Sequence, residues 1–225
     1  MNDIILIDKP AGWTSFDVVA KIRGAIRANY AAKGIKPTKR QLKVGHSGTL
    51  DPFATGLLII LLGEACARAD EFLKLDKVYE ATLRLGQTST TGDPEGELSD
   101  VSDVRPTQAD ILKALMAFTG QIKQTPPAYS AIKIGGERAY KLARKGKKVD
   151  MPSRAVTIHN LELLSYKYPE LTVRAHVGSG TYIRSLAEDI GRELGVGAYC
   201  ITLRRTMVGR WSIDNAQSMA DLTLD

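Results

Sequence analysis

The sequence predicts an α+β fold: a mixed, mainly antiparallel central sheet flanked by helices, with one arm inserted into it. Strand-like segments are many, two of them adjoin as a hairpin, and clean strand-helix-strand repeats of the kind that build a parallel sheet are few. No internal repeat, phosphate-binding glycine motif or dinucleotide fingerprint is present. A chain of 225 residues, 44% apolar and 25% charged, is long enough to bury a substantial core.

The elements follow in order. Ile4 to Asp8 reads as a buried strand that stops at the turn signal Lys9-Pro10-Ala11-Gly12. Thr14 and Asp17 have the spacing of a capping box, and Val18, Val19, Ile22 and Ile26 then recur at helical period, leaving Lys21, Arg23 and Arg27 toward solvent. Tyr30 to Gln41 is polar and basic and reads as a loop, followed by a glycine-rich loop from Val44 to Gly56 and an apolar strand from Leu57 to Leu62. A short helical stretch reaches about Leu73. Lys77 to Leu85 alternates with period two, which places Tyr79 on one face with Ala81, Leu83 and Leu85.

Gly86 to Pro106 shows no periodicity and is acidic, so it reads as a long loop in which Asp93 or a neighbour pairs with an arginine. Thr107 caps a helix carrying Ile111, Leu112, Leu115 and Phe118 that stops at Gly120. Gln124 to Ser153 is too polar to hold a core of its own and reads as an inserted arm: an extended connector, a short strand at Ala131 to Ile134 and a small basic helix from Glu137 to Arg144. Val156 to Tyr166 and Leu171 to Val177 form a hairpin. Ile183, Leu186, Ala187, Ile190 and Leu194 mark the clearest helix, opened by Gly178-Ser179-Gly180-Thr181 and closed by Gly195. Arg184 sits in its first turn, where the helix dipole disfavours a cation, and a broken local rule beside a glycine-rich loop hints at function. Strands at Ala198 to Met207 and Gly209 to Ile213 and a helix from Asp214 to Leu222 complete the reading.

Charge narrows the function classes. The formal net charge is +6, and no acidic residue falls between Val18 and Leu50, where eight lysines and arginines do. A second basic stretch runs from Lys133 through Arg138, Lys141, Arg144, Lys145, Lys147 and Lys148 to Arg154, opposed only by Glu137 and Asp150. Two such blocks point to a polyanion, with nucleic acid ahead of a merely solvated basic surface. No apolar run reaches membrane-spanning length, and the longest stops at Leu62. Met1-Asn2-Asp3 lacks a secretory n-region and Cys66 and Cys200 stand apart, so a cytoplasmic protein is expected. His46, His159 and His176 are scattered without metal-ligand spacing.

The loop Val44-Gly45-His46-Ser47-Gly48-Thr49-Leu50-Asp51-Pro52-Phe53-Ala54-Thr55-Gly56 is the chemical focus. Pro52 biases Asp51 toward extended geometry and the glycines let the backbone turn, so one carboxylate is presented in a set direction. The plain alternative is ordinary Asp-Pro turn chemistry.

From Gly45 to Gly56 this loop closely resembles the catalytic motif of the tRNA pseudouridine-55 synthases, the bacterial TruB family. Further matches come in the same order: Asp8-Lys9-Pro10, Gly12-Trp13-Thr14-Ser15, Lys77-Val78-Tyr79, Leu85-Gly86-Gln87, Pro126-Pro127 with Tyr129-Ser130-Ala131-Ile132-Lys133, Gly180-Thr181-Tyr182-Ile183-Arg184-Ser185-Leu186, and Leu203-Arg204-Arg205. The resemblance implies a pseudouridine synthase fold and isomerisation of a uridine in the T-arm of tRNA by a monomer, with no metal, organic cofactor, membrane or guide RNA. Asp51 matches the nucleophile, Arg184 its paired arginine and Asp93 the second carboxylate of that network. Tyr79 matches the aromatic residue on the target base and a candidate for the closing proton abstraction. Tyr182 and Leu203 match base-contacting positions, for which core packing is the alternative. His46 matches the residue that fills the space of the flipped nucleotide, with a plain loop histidine as alternative. The arm at about 124–153 corresponds to a thumb-like insertion that closes on RNA, with Lys133 among its substrate-binding residues.

The residue types suit the chemistry. A carboxylate nucleophile must be ionised, and a guanidinium fork both keeps it so and aims it. Chemistry on a base in a folded loop requires its extrusion into a stacking pocket. Ser47 stands where threonine is common, and the chain is expected to be one catalytic domain ending without a C-terminal RNA-binding domain. Three other readings stay open: a guide-dependent synthase, an RNA-binding or tRNA-folding factor with reduced catalysis, and a carboxylate glycosidase, which needs a second carboxyl as acid.

Overall fold

A computed structural model of the chain describes residues 4–147 and 149–222. Met1, Asn2, Asp3, Lys148 of the second basic stretch and Asp225 lie outside the described residues.

β1 (Ile4–Lys9) leads into α1 (Ser15–Ala32), and the capping box at its start is formed. The Thr14 hydroxyl accepts the Asp17 amide at 3.1 Å while the Asp17 carboxylate accepts the Thr14 amide at 2.8 Å. Val18, Val19, Ile22 and Ile26, the residues selected by helical spacing, are buried. The helix takes in Tyr30, Ala31 and Ala32, the start of the segment read as loop; 33–43 has neither helix nor strand.

β2 (Val44–His46) is a strand, where the sequence reads loop, because it pairs antiparallel with β3 (Thr55–Leu62) at Val44↔Leu62 and His46↔Ile60. A 3-10 turn over Gly63–Arg68 and α2 (Ala69–Leu73) follow. β4 (Lys77–Leu85) alternates buried and half-buried residues along its whole length, as its period-two pattern requires.

The stretch 86–106 is not structureless: β5 (Gln87–Ser89) and β6 (Leu98–Asp100) pair antiparallel within it. Its polar composition hides the hairpin because neither strand carries an apolar alternation. α3 (Gln108–Ala117) has the second capping box, Thr107 with Asp110, and buries Ile111, Ala114 and Leu115, whereas Leu112 is exposed. β7 (Gly120–Gln124) is a strand that the sequence does not predict. In the arm, β8 (Lys133–Ile134) and β9 (Glu137–Arg138) pair before α4 (Ala139–Arg144). β10 (Arg154–Lys167) and β11 (Glu170–Val177) form the expected hairpin, and α5 (Ile183–Glu193) the expected helix. β12 (Ala198–Val208) and β13 (Trp211–Ser212) come next. The helix expected from Asp214 to Leu222 does not form: a 3-10 turn over Ile213–Asn215 gives way to β14 (Gln217–Ser218), which pairs parallel with Ile7 and Asp8. A non-local strand partner outweighs weak local helical spacing.

The chain divides into two compact units, Met1–Tyr79 with Arg204–Asp225, and Glu80–Leu203; β4 and β12 contribute residues to both. In the first unit the strand order is β14-β1-β3-β12, with β1 antiparallel to β3 and β12 parallel to it. Its core gathers Leu57, Ile59, Leu61, Ala65, Phe72 and Val208, with Trp211 tilted on Phe72 at 5.1 Å. In the second unit the order is β12-β4-β11-β10-β7, and β10 runs antiparallel to both β11 and β7. α5 buries Ile183, Leu186, Ala187 and Ile190 there. The sheet is therefore mixed and mainly antiparallel, as the sequence predicts.

Two helix glycines separate conformational from steric effects. A Cβ at Gly24 on α1 would meet nothing within 4 Å, whereas one at Gly191 on α5 would lie 2.2 Å from the Ala198 nitrogen. Gly24→Ala should stabilise by about 0.5–1 kcal/mol through helix propensity, and Gly191→Ala should destabilise by about 1–3 kcal/mol through overpacking. Urea unfolding of the two variants beside the parent measures both signs.

Candidate active site

The loop that presents Asp51 belongs to the first unit and is braced from several sides. Ser15, at the start of α1, holds both main-chain groups of Leu50: its Oγ accepts the Leu50 amide at 2.9 Å and donates to the Leu50 carbonyl at 3.2 Å. On the other side of Asp51, the Pro52 carbonyl accepts the Gly12 amide at 2.8 Å and the Lys9 ammonium at 3.3 Å. Lys9 is 0% exposed and donates also to the carbonyls of Pro10 at 2.9 Å and Trp13 at 2.6 Å. The Ala54 amide donates to the Asp51 carbonyl at 3.1 Å, closing a tight turn. Asp51 itself is half-buried, between two fixed neighbours.

Arg205 on β12 supports the loop from beneath. At 1% exposure, its Nε donates to the Leu57 carbonyl at 2.8 Å and a terminal nitrogen to the Gly48 carbonyl at 3.2 Å. Gly56 has φ +104°, and a Cβ there would lie 2.3 Å from the Arg205 carbonyl oxygen, so β3 approaches β12 where only glycine fits.

Electrostatics follow from this burial. Burial pulls the Lys9 amine down to about 8 from 10.5; the Asp51 charge opposes that shift and the Arg205 charge adds to it. Burial, then the Arg205 charge, holds His46 below the usual imidazole range. The neutral ring can accept, and its Nδ1 takes the Gly48 amide at 3.3 Å. His46 thereby shapes the loop on which it sits. Tyr79, on β4, is buried and also belongs to the first unit.

The second unit holds the other group of predicted residues. Arg184, in the first turn of α5, is 3% exposed. One terminal nitrogen donates to the Thr91 carbonyl at 2.8 Å and to Asp93 Oδ2 at 3.2 Å, and the other to the Tyr129 carbonyl at 2.8 Å. Asp93, 5% exposed, takes the Thr91 hydroxyl at 2.5 Å and the Glu95 amide at 3.1 Å on its other oxygen. The sequence expectation that Asp93 pairs with an arginine therefore holds, and the arginine is Arg184. A carboxylate and two carbonyls thus meet the terminal nitrogens of a buried cation where the helix dipole alone would oppose it. A cleft of about 450 Å³ adjoins this network, lined among others by Thr91, Tyr129, Ser185 and Glu188. Burial, with Asp189 second, raises the Glu188 carboxyl above the usual range.

Tyr182, at the N-cap of α5, is half-buried; Leu203 on β12 is buried; Lys133 on β8 is exposed. The arm's other cations at Arg138, Lys141, Arg144, Lys145 and Lys147 are exposed too, with one Lys145–Glu137 ion pair among them. The structure thus places Asp51, His46 and Tyr79 in the first unit and Asp93, Arg184, Tyr182, Leu203 and Lys133 in the second. Local sequence patterns do not mark the roles of Lys9, Ser15 and Arg205 under the loop. Arg205 left one signal: on a strand it shares a face with Leu203, where a lone charge needs buried acceptors.

The model described as "TruB family pseudouridylate synthase (N terminal domain)" matches residues 34–183, and "tRNA pseudouridylate synthase B C-terminal domain" matches 184–224. The chain is similar to tRNA pseudouridine synthase B of Thermobifida fusca, 41% identical over 236 residues that cover 100% of this chain and 75% of the relative. It is similar also to tRNA pseudouridine synthase B of Burkholderia mallei, 43% identical over 97% of this chain and 68% of the relative. Among solved structures, a Cbf5-Nop10-Gar1 complex contains a chain matching 97% of this one at TM-score 0.72 and 30% identity. An H/ACA RNP bound to a substrate RNA containing 2′-deoxyuridine matches at TM-score 0.68 and 28% identity. The present chain spans about half the length of those solved chains, 53% and 51%.

Lys9 gives the loop a pH signature. Folding lowers its pKa to about 8 from 10.5. Between those values the unfolded chain binds the proton that the folded one has released, so this residue's contribution to stability rises with pH across that window. The unfolding free energy of the parent relative to Lys9→Met should increase as pH is raised from 7.5 to 10, read by urea unfolding at each pH. Lys77, also lowered to about 8 by burial, is present in both proteins and cancels.

Proposed function

The chain belongs to the TruB family of pseudouridylate synthases, and from that premise we propose that it isomerises a uridine in the T-arm of tRNA to pseudouridine, with Asp51 as nucleophile and without a guide RNA. The observation that carries this reading is Asp51 on a loop pinned at Leu50 by Ser15 and at Pro52 by Lys9 and Gly12, within the matched motif.

In the reaction the Asp51 carboxylate adds to the target nucleoside and the bond between the uracil nitrogen and the sugar breaks. The uracil turns, its C5 bonds to the sugar carbon, the proton on C5 leaves while the freed ring nitrogen takes one up, and the Asp51 carboxylate is released unchanged. The product is an isomer of the substrate, so no oxidant, reductant or second substrate enters the balance. Tyr79 packs on the extruded base and is the candidate for the abstraction of the C5 proton. Arg184, held by Asp93, serves the nucleophile; Tyr182 and Leu203 contact the base; and His46 fills the space that it vacates. The chain works as a monomer in the cytoplasm. The arm at 124–153 supplies phosphate contacts, Lys133 among them, which position the RNA more than they specify it.

A guide-dependent mode has the likeness to Cbf5 behind it. Mapping pseudouridine in a bare tRNA transcript incubated with the protein alone distinguishes the two: a single new pseudouridine in the T-arm supports the stand-alone reading, and none without added RNA supports the other.

Asp51→Asn should lower conversion by more than about 10³-fold, the scale of removing a covalent nucleophile, with tRNA affinity within about 3-fold of the parent; full activity would sink the nucleophile assignment. Replacing Lys133, Lys141 and Arg144 together by Gln should weaken tRNA binding and reduce the slope of log affinity against log salt by about 2. An unchanged slope, measured by filter binding, would take these residues out of the RNA interface.

A further inference from the structure

The arm leaves the sheet at Gln124 and rejoins it at Arg154, and these two residues are register partners on β7 and β10. Both direct their side chains to the start of α5. Gln124 is 1% exposed; its Oε1 accepts the Tyr182 amide at 2.8 Å and its Nε2 donates to the Tyr182 carbonyl at 3.1 Å. One carboxamide therefore grips both main-chain groups of one residue. The Arg154 guanidinium lies over the Tyr182 ring, 5.4 Å from its centroid, and donates to the Gly180 carbonyl. Gly180 has φ +85°, and a Cβ there would come 3.2 Å from Arg154, so the turn before α5 is shaped around the arginine. The root of the arm is also closed on itself and tied to the same helix. Thr125 and Ser153 share a hydroxyl hydrogen bond of 2.7 Å, and the Ser185 hydroxyl donates to the Thr125 carbonyl at 2.8 Å.

We propose that Gln124 and Arg154 are positioning residues that set Tyr182 at the angle the extruded base requires. The inference rests on the reading of Tyr182 as a base contact. Neither residue touches the reacting atoms; each acts through Tyr182, Gln124 on its main chain and Arg154 on its ring. Arm cations that bind phosphate govern affinity, whereas these two govern the chemical step.

Steady-state kinetics on a full-length tRNA transcript test this with Gln124→Glu, Arg154→Met, Tyr182→Leu and the double variant Arg154→Met/Tyr182→Leu. Gln124→Glu places a carboxylate oxygen against the Tyr182 carbonyl, and Arg154→Met removes the cation from the ring. Each should lower kcat by about 10- to 100-fold, the scale of a small misplacement in a catalytic site, with KM for tRNA changed less than about 3-fold. The double variant should be no slower than Tyr182→Leu alone, because a residue acting through Tyr182 has nothing left to act on. Multiplying effects in the double variant would overturn the inference. So would parental kcat in both Gln124→Glu and Arg154→Met beside a slowed Tyr182→Leu. Parental kcat in Tyr182→Leu would instead overturn the base-contact reading, and the inference with it. Should Gln124→Glu fail to fold, the Arg154 cycle, on a half-exposed side chain, decides alone.

Discussion

Buried cations answered by main-chain carbonyls are the constraint on which the first unit depends. Lys9 and Arg205 lie out of water, and a cation there is tolerable only if its donors are met. The acceptors are the carbonyls of Pro10, Trp13, Pro52, Gly48 and Leu57, three of which belong to the Asp51 loop or the strand leaving it. Moving the loop would leave an unmet charge, so its short irregular backbone is held as firmly as a strand. That firmness suits the nucleophile role proposed for Asp51, since the reach of a carboxylate depends on direction as well as distance.

The second unit solves a related problem differently. Arg184 is buried against a real counter-charge, Asp93, and against carbonyls from two other segments, Thr91 and Tyr129. The hairpin of β5 and β6, the arm and α5 therefore meet at one guanidinium. With Gln124 and Arg154 added, the base of a polar, basic arm is tied to the start of a helix at four residues, Gln124, Thr125, Tyr129 and Arg154. The order of the arm's root rests on these hydrogen bonds.

Much of the candidate site is legible in the sequence because its signals are local. Asp51-Pro52 among glycines is a short-range pattern, and Arg184 announced itself by breaking the dipole rule in the first turn of its helix. The residues that went unread act at long range. Ser15 reaches Leu50 across 35 positions and Arg205 reaches Gly48 across 157. Gln124 looks like an ordinary polar residue at the mouth of the arm; only the return of β10 beside β7 brings α5 within its grasp.

The same division runs through the fold. The sequence by itself determined the elements whose physics is local: both capping boxes, the apolar face of α1, the period-two face of β4, the hairpin of β10 and β11, and α5 with its closing glycine. The tertiary structure alone decided what depends on partners far along the chain. β2, β5, β6, β7 and β14 are short and mostly polar, and each exists because a backbone edge was available to pair with it. The expected C-terminal helix gave way for that reason, its residues taking the open edge of β1. Side-chain periodicity is written into consecutive residues, whereas strand pairing and the burial of a cation are settled only when distant segments meet.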